Sequence, residues 1–163
     1  DITEADAVWT DQPGQVCAVM VADCVPILLA AKDGSCVAAI HAGWRGLAAG
    51  VIEETVKCLP VPAAELVAVI GPCIGAAVYP GGDEVFKQLQ EGDVRPVFKN
   101  QHLHLEATAR LQLAFRGVSK VELGLNFCNY SRPRKYYSHR REKKTGRFAA
   151  FILLRSITNI TKL

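Results

Sequence analysis

The sequence lacks the features of several protein classes. No stretch approaches the roughly 18 uninterrupted apolar residues that a membrane span needs. No basic segment followed by an apolar one opens the chain, so nothing suggests secretion. Internal repeats and low-complexity segments are also missing. Half of the 163 residues are hydrophobic, so the chain can bury a sizeable core and is not disordered. We therefore expect a single domain in the cytoplasm.

Six cysteines are present, and most of them lie inside apolar runs. A domain of this size does not need disulfides to be stable. In an apolar run a thiol behaves as a small hydrophobic group. We expect the cysteines to be reduced, in agreement with a cytoplasmic location.

The apolar pattern predicts alternating strands and helices. The predicted strands cover residues 16–20, 25–31, 36–40, 66–70, 121–125 and 148–154. The predicted helices cover residues 47–58, 83–90 and 104–115. The mixture of a hairpin with strand–helix–strand units indicates an α/β fold in which helices pack on a mixed sheet.

The second and third predicted strands form a hairpin, because Asp33-Gly34 is a strong signal for a two-residue turn. This turn places His41 opposite Pro26 and Cys24 opposite Gly43. Side chains alternate along a strand, so Cys24 and His41 project from the same face. As diagonal neighbours they would have Cα atoms about 7–8 Å apart.

Thiolate and imidazole are natural zinc or copper ligands, so Cys24 and His41 are a candidate metal pair. A zinc site usually has three or four protein ligands. The alternative is a packed cysteine beside a hydrogen-bonded imidazole. The other histidines, His102, His104 and His139, fit exposed loop positions.

A tight turn, Gly71-Pro72-Cys73-Ile74-Gly75, follows the fourth predicted strand. Such a turn could bring backbone N–H groups close to a ligand. It lacks the Gly-Lys-Ser/Thr end of a phosphate-binding P-loop. The alternative is a turn that ends the strand and packs its cysteine.

Charge is concentrated near the C-terminal end. Residues 130–150 hold eight basic residues and one acid, a net charge of +7 in a chain of net charge +3. Such a segment indicates an anionic partner, either a phosphate-bearing small molecule or a nucleic acid, or it is a solvated face. Paired arginines bind phosphate in a bidentate manner, and tyrosine rings can stack on a base.

Four motifs together resemble the laccase-domain family, also called the multicopper polyphenol oxidase family, from about residue 5 to residue 154. Its members are described as purine nucleoside phosphorylases that also deaminate adenosine. The motifs occur in the order Val21-Ala22-Asp23-Cys24-Val25-Pro26, His41-Ala42-Gly43-Trp44-Arg45-Gly46, Gly71-Pro72-Cys73-Ile74-Gly75, and Tyr137-Ser138-His139-Arg140-Arg141 with Thr145-Gly146-Arg147.

The resemblance implies a three-layer α/β/α arrangement around a central mixed sheet, in a monomeric cytoplasmic enzyme. It implies zinc, with copper as the alternative, on Cys24 and His41. The family's third ligand is a histidine in a Gln-Val-His-Gly motif upstream of Asp1. We accordingly expect one family-like domain over residues 1–155 without its first third, followed by a tail at residues 156–163.

The resemblance also implies roles for other residues. Arg45, Arg140 and Arg141 are the candidate catalytic residues. Trp44, Gly71, Cys73 and Tyr137 are the candidate substrate-binding residues. The implied partners are a purine nucleoside and phosphate, with no membrane and no nucleic acid. Asn129 departs from the family, which usually has Thr after the cysteine, and His139 stands where the family has Tyr.

Phosphorolysis of adenosine or inosine to the free base and ribose 1-phosphate is the leading functional hypothesis, with zinc-activated water for adenosine deamination. A copper-dependent polyphenol oxidase is the second, although one motif cysteine and four histidines do not supply a multicopper cluster. A binding module without catalysis is the third.

Overall fold

The computed structural model describes residues 5–90, 95–124 and 128–155, so the predicted tail at 156–163 lies outside the described residues. The strands are β1 (Ala7–Thr10), β2 (Val16–Val21), β3 (Val25–Ala31), β4 (Val37–Ala42), β5 (Leu66–Ile70), β6 (Phe98–Lys99), β7 (His102–Leu103), β8 (Lys120–Leu123) and β9 (Phe148–Leu153). The α-helices are α1 (Trp44–Ala48), α2 (Val51–Cys58), α3 (Asp83–Gln90), α4 (Leu105–Phe115) and α5 (His139–Glu142). Short 3₁₀ helices cover Ala63–Glu65 and Ala76–Val78.

The centre of the fold is a five-stranded sheet in the order β1-β4-β3-β5-β8. Only the pair β5–β8 is parallel among the pairs of this sheet, so the sheet is mixed. The predicted α/β fold with a central mixed sheet is confirmed. The hairpin of β3 and β4 lies in the middle of the sheet, where both of its strands are hydrogen-bonded on each side.

The two faces of the central sheet are covered differently. Helices α1, α2 and α4 contact the strands from one side, over the main core that includes Ile27, Leu29 and Ile40. The other side carries a second, two-stranded sheet of β2 and β9. Cys17 and Val19 belong to the smaller core between the two sheets. Among the described residues, the layer opposite the helices is therefore this sheet, where the family resemblance implied helices.

The predicted helix over residues 47–58 is divided in two. Helix α1 ends at Ala48, and α2 begins at Val51. Gly50 between them has φ +80°, a left-handed conformation that glycine adopts without steric cost. This left-handed residue interrupts the helical conformation, so α1 ends before α2 begins.

The remaining predicted elements are present with small shifts of their ends, and the end of the predicted strand 121–125, at residue 125, lies outside the described residues. The structure adds strands β6 and β7, helix α5 and the edge strand β1. Strand β1 pairs with β4 along the edge of the central sheet, with Ala7 opposite Ile40. The described helices include none with the length and apolar character required to cross a bilayer.

Candidate metal and substrate site

The register of the β3–β4 hairpin agrees with the prediction. Pro26 lies opposite His41 and Val25 opposite Ala42, where the regular pairing ends. Cys24 is the next residue, and it lies against Gly43: a Cβ atom at Gly43 would come within 2.9 Å of the Cys24 Sγ. The absence of a side chain at Gly43 therefore provides the space that the thiol occupies.

His41 is held by Asp6, the residue directly before the edge strand β1. Its Nδ1 lies 2.8 Å from the Asp6 Oδ1, and its backbone N–H donates to the Asp6 carbonyl at 2.7 Å. The hydrogen bond with the Cys24 side chain is the main reason why the pKa of His41 is raised to about 9, while burial opposes the shift and Asp6 adds to it. Cys24 and Asp6 thus both contact the same imidazole.

This arrangement suits two of the ligands of a metal ion. Metal-binding histidines usually hold a carboxylate on the ring nitrogen that does not bind the metal, and Asp6 occupies that position on Nδ1. Nε2 is the remaining ring nitrogen, and it would be the one to bind a metal if Cys24 and His41 were ligands. Within residues 5–90, 95–124 and 128–155, no group of three or more His, Cys, Asp or Glu side chains is placed to hold a metal ion.

Asp23, next to Cys24, joins distant parts of the chain. Its side chain is buried, with Oδ1 accepting from Asn129 Nδ2 at 2.8 Å and Oδ2 accepting from the Arg140 backbone N–H at 2.6 Å. Its carbonyl accepts from the Ile74 N–H at 2.9 Å. Asp23 has φ +93°, so the chain turns sharply just before the candidate ligand.

Tyr79 contacts Arg140, one of the candidate arginines. The guanidinium of Arg140 is 5.0 Å from the centre of the Tyr79 ring. Burial raises the pKa of Tyr79, electrostatic interactions with Cys24 and Asp23 raise it further, and the charges of Arg140 and Arg45 oppose the shift. Arg140 therefore contacts the Tyr79 ring directly, and Arg45 influences the same phenol through its charge.

Arg45 and Trp44, predicted as catalytic and substrate-binding residues, begin α1 directly after the hairpin. The Arg45 guanidinium lies 4.3 Å from the centre of a Trp44 ring, a cation–π contact that positions its charge. Arg45 is exposed, so its hydrogen-bonding groups face solvent at the edge of the site.

Arg141, the third candidate catalytic arginine, is placed differently. Its Nη1 donates to the carbonyls of Asn129 and Tyr130, its Nη2 donates to the Tyr136 carbonyl and to Glu142, and its Nε donates to Glu142. A guanidinium has five N–H donors, so all of them are used inside the protein. Arg141 therefore has a structural role, because its hydrogen bonds connect the parts of the 129–142 segment.

The turn after β5 lines a cavity of about 80 Å³ together with the start of α4. Gly71 packs so closely on Pro26 that a Cβ atom would come within 2.9 Å of the proline ring. Cys73 is buried and lines the cavity, as do His104 and Cys128. Gly71 and Cys73, both predicted to bind substrate, thus line the cavity. Packing also explains both residues without a substrate, because Gly71 lies against Pro26 and Cys73 is buried.

Tyr137, the other predicted substrate-binding residue, is half-exposed. It packs over Gly146, where a Cβ atom would come within 2.8 Å of its ring. His102 is bound at Nδ1 to the Asn100 carbonyl, and His139 is an exposed residue at the start of α5.

Asp6 and Tyr79 are site residues that the sequence analysis did not identify. Asp6 precedes a four-residue strand too short to show a clear alternation. Tyr79 follows the short 3₁₀ helix that ends at Val78, and no periodic pattern marks such a position. The carboxylate at Asp6 could have been found only by pairing β1 with β4.

Comparison with known proteins places this site in a family. A family model described as multi-copper polyphenol oxidoreductase laccase matches residues 1–155. The chain belongs to this laccase family. The match includes every site residue described above, from Asp6 to Arg141.

Curated laccase-family relatives carry the name purine nucleoside phosphorylase. One from Pseudomonas aeruginosa is 39% identical over 170 residues, which cover 94% of this chain and 66% of the relative. Another, YfiH from Escherichia coli, is 42% identical over 156 residues, which cover 92% of this chain and 64% of the relative. The chain therefore spans about two thirds of the length of these relatives.

Solved structures of the laccase family have the same fold. A Neisseria meningitidis protein superimposes with a TM-score of 0.84 at 37% identity, covering 94% of this chain and 66% of its own. YlmD from Geobacillus stearothermophilus also has a TM-score of 0.84, at 32% identity, covering 94% of this chain and 62% of its own.

Proposed function

We propose that this chain forms the metal-binding and phosphate-binding part of a purine nucleoside phosphorylase that also deaminates adenosine. The observation that carries the proposal is the grouping of Cys24 and His41 with Arg45, Arg140 and Tyr79 at one end of the central hairpin. The names of the curated relatives support the first activity. The pair of candidate metal ligands supports the second.

In phosphorolysis, phosphate attacks the anomeric carbon of ribose as the bond to the purine breaks. Arg140 and Arg45 would hold the phosphate dianion, because guanidinium groups pair with phosphate through charge-assisted hydrogen bonds. The Tyr79 ring fixes the Arg140 guanidinium by a cation–π contact. The leaving purine requires a proton or a hydrogen bond, which the Tyr79 hydroxyl could donate.

Zinc, with copper as the alternative, would be held by Cys24 and His41. When bound, such a metal lowers the pKa of a water molecule and so supplies a hydroxide for deamination of adenosine. Asp6 keeps the His41 ring in the orientation that presents Nε2. The family resemblance supplies the third ligand from a Gln-Val-His-Gly motif, which does not occur in these 163 residues.

Phosphate-dependent release of hypoxanthine from inosine tests the first activity, and release of ammonia from adenosine tests the second. Both are measured for the 163-residue chain by itself and for a fusion that adds the upstream segment of a relative. We expect weak activity from the chain and a joint rise of zinc affinity and nucleoside turnover in the fusion. Full activity of the chain by itself would show that a residue such as His102 or His139 completes the site.

Metal analysis of two cysteine variants of the fusion tests the ligand assignment. Cys24→Ala should abolish zinc binding, whereas Cys58→Ala should leave it intact because Cys58 is exposed at the end of α2. Equal zinc content in the two variants would refute the assignment. Absence of both zinc and turnover from the folded fusion would favour a binding module without catalysis.

A further inference from the structure

A second pair of sulfur atoms lies beside the cavity behind the turn 71–75. Cys73 and Cys128 face each other as paired residues of a parallel β-bridge, and the Asn129 N–H donates to the Cys73 carbonyl at 3.0 Å. Neighbouring strands are about 4.7–4.9 Å apart, and a disulfide requires Cα atoms about 4.4–6.8 Å apart. Both residues line the same cavity of about 80 Å³. The backbone therefore places them at a separation that a disulfide can bridge.

The two sulfur atoms have different surroundings. Cys128 is partly exposed, and its Sγ accepts a hydrogen bond from the Gly75 N–H at 3.1 Å. Burial acts to raise the pKa of Cys128, but hydrogen bonds from the Ser131 side chain and from the N–H groups of Gly75, Ser131 and Tyr130 lower it overall. Burial instead raises the pKa of Cys73 to about 12. Cys128 is thus the nucleophile of the pair, since the thiolate is the reactive form.

We propose that Cys73 and Cys128 form a redox-active dithiol that hydroperoxides oxidise to an intramolecular disulfide. The proposal does not involve the metal pair Cys24 and His41, although Cys73 is also one of the predicted substrate-binding residues. The geometry of the dithiol rests on the β-bridge, the shared cavity and the N–H donor from Gly75.

The reaction has two steps. The Cys128 thiolate attacks one peroxide oxygen, the O–O bond breaks, and the leaving alkoxide takes a proton to become an alcohol, so that Cys128 becomes a sulfenic acid. The Cys73 sulfur then attacks the Cys128 sulfur, the S–S bond forms as the S–O bond breaks, and the Cys73 proton leaves with the hydroxyl group as water. Two thiols lose two electrons, and the peroxide is reduced to alcohol and water.

The test uses hydrogen peroxide and mass spectrometry. Cys58 and Cys73 share one tryptic peptide, because no Lys or Arg lies between Cys58 and Phe86. The experiment therefore uses the Cys58→Ser protein, reduced, treated with peroxide, alkylated and digested without reductant. We expect the peptides that contain Cys73 and Cys128 to be joined, with a mass two hydrogen atoms below the sum of the free peptides, and to separate on reduction.

Further variants identify the order of the steps. In the Cys58→Ser background, adding Cys73→Ser should remove the link and leave a sulfenic acid at Cys128 that dimedone captures, whereas adding Cys36→Ser should keep the link. Far-UV circular dichroism confirms that each variant is folded. A folded Cys58→Ser protein whose Cys73 and Cys128 both remain alkylatable after peroxide treatment would overturn the proposal. A link from Cys128 to a cysteine other than Cys73 would overturn it as well.

Discussion

Two adjacent residues at the end of the hairpin, Asp23 and Cys24, have side chains with different roles. Cys24 presents its sulfur to His41, whereas Asp23 turns inward and binds Asn129 and the backbone of Arg140. Asn129 stands where the family resemblance leads us to expect Thr, and its side chain donates to both the Asp23 carboxylate and the Tyr137 carbonyl. Asparagine at position 129 can therefore stabilise the buried Asp23 carboxylate by a hydrogen bond.

Replacement of Asp23 by asparagine tests the charge of this buried group. Asp23→Asn keeps the shape and tolerates the positive φ, but it removes the charged acceptor and turns an N–H group toward a donor. We expect the free energy of unfolding to fall by about 1.5–3 kcal/mol, the range for hydrogen bonds to charged groups. Urea denaturation measures it. Asp11→Asn, at an exposed position, is the control; an equally small effect of both variants would contradict the role of Asp23.

Substitution of Arg140 should affect mainly activity, whereas substitution of Arg141 should affect mainly stability. Arg140→Ala keeps the backbone N–H that binds Asp23, so we expect stability to change by less than about 0.5 kcal/mol. If Arg140 holds phosphate, kcat/KM for phosphate should fall about 10-fold or more. Arg141→Ala removes five hydrogen bonds and should lower the free energy of unfolding by about 2 kcal/mol or more.

Denaturation curves and phosphorolysis kinetics on both arginine variants distinguish these roles. Arg134→Ala, an exposed arginine of the same basic segment, should change neither quantity. The assignment fails if Arg140→Ala unfolds the protein as readily as Arg141→Ala does.

At the scale of secondary-structure elements, the break between α1 and α2 depends on one glycine. Gly50 has φ +80°, and a Cβ atom there would meet no backbone, its nearest neighbour being Glu53 Oε2 at 3.9 Å. The cost of Gly50→Ala is therefore conformational, and we expect a loss of stability of about 1–2 kcal/mol. Thermal unfolding measures the loss.

Gly82→Ala is the matched control for this substitution. Gly82 has no positive φ, and a Cβ atom there would meet nothing within 4 Å. Alanine at Gly82 should therefore leave stability unchanged or raise it slightly, because it restricts the unfolded chain. Equal melting temperatures for the two variants would show that the Gly50 conformation does not matter.

The hairpin could be predicted from sequence because its information is local. Asp33-Gly34 fixes the register, and the register fixes which side chains share a face with Cys24. The Gly50 break was missed because the apolar spacing on both sides of it is helical. The pairing of β2 with β9, whose residues Val16 and Leu153 are far apart in sequence, has no local signal. Asp6 and Tyr79 were not predicted as site residues for the same reason, because tertiary contacts bring them to the site.

At the scale of the whole molecule, the outer face of the β2–β9 sheet is apolar and exposed. Opposed residues of the two strands supply it, with Val16 facing Leu153 and Met20 facing Ala149. Val16, Met20 and Phe151 are exposed by 57%, 58% and 60%. Contiguous exposed apolar surface of this kind favours association.

The 163-residue chain by itself should therefore self-associate through this face. We expect the double variant Met20→Lys, Phe151→Lys to shift the chain toward monomer in sedimentation velocity, because a lysine on an exposed strand opposes pairing. Leu111→Lys, at an exposed apolar position on α4, should not change the association. A wild-type chain that stays monomeric at high concentration would show that the face does not drive association.

The contacts of the site also differ in their distance along the chain, and this has a kinetic consequence. Cys24 and His41 meet through one tight hairpin, whereas Asp23 is bound by Asn129 and Arg140, 106 and 117 residues away. Because closing a long loop costs entropy before its contacts form, local pairing precedes distant pairing. We expect φ-values near one for substitutions in the hairpin and near zero for Asn129→Ala. The candidate metal pair would then exist on the folding chain before the hydrogen bonds of Asp23 with Asn129 and Arg140 form.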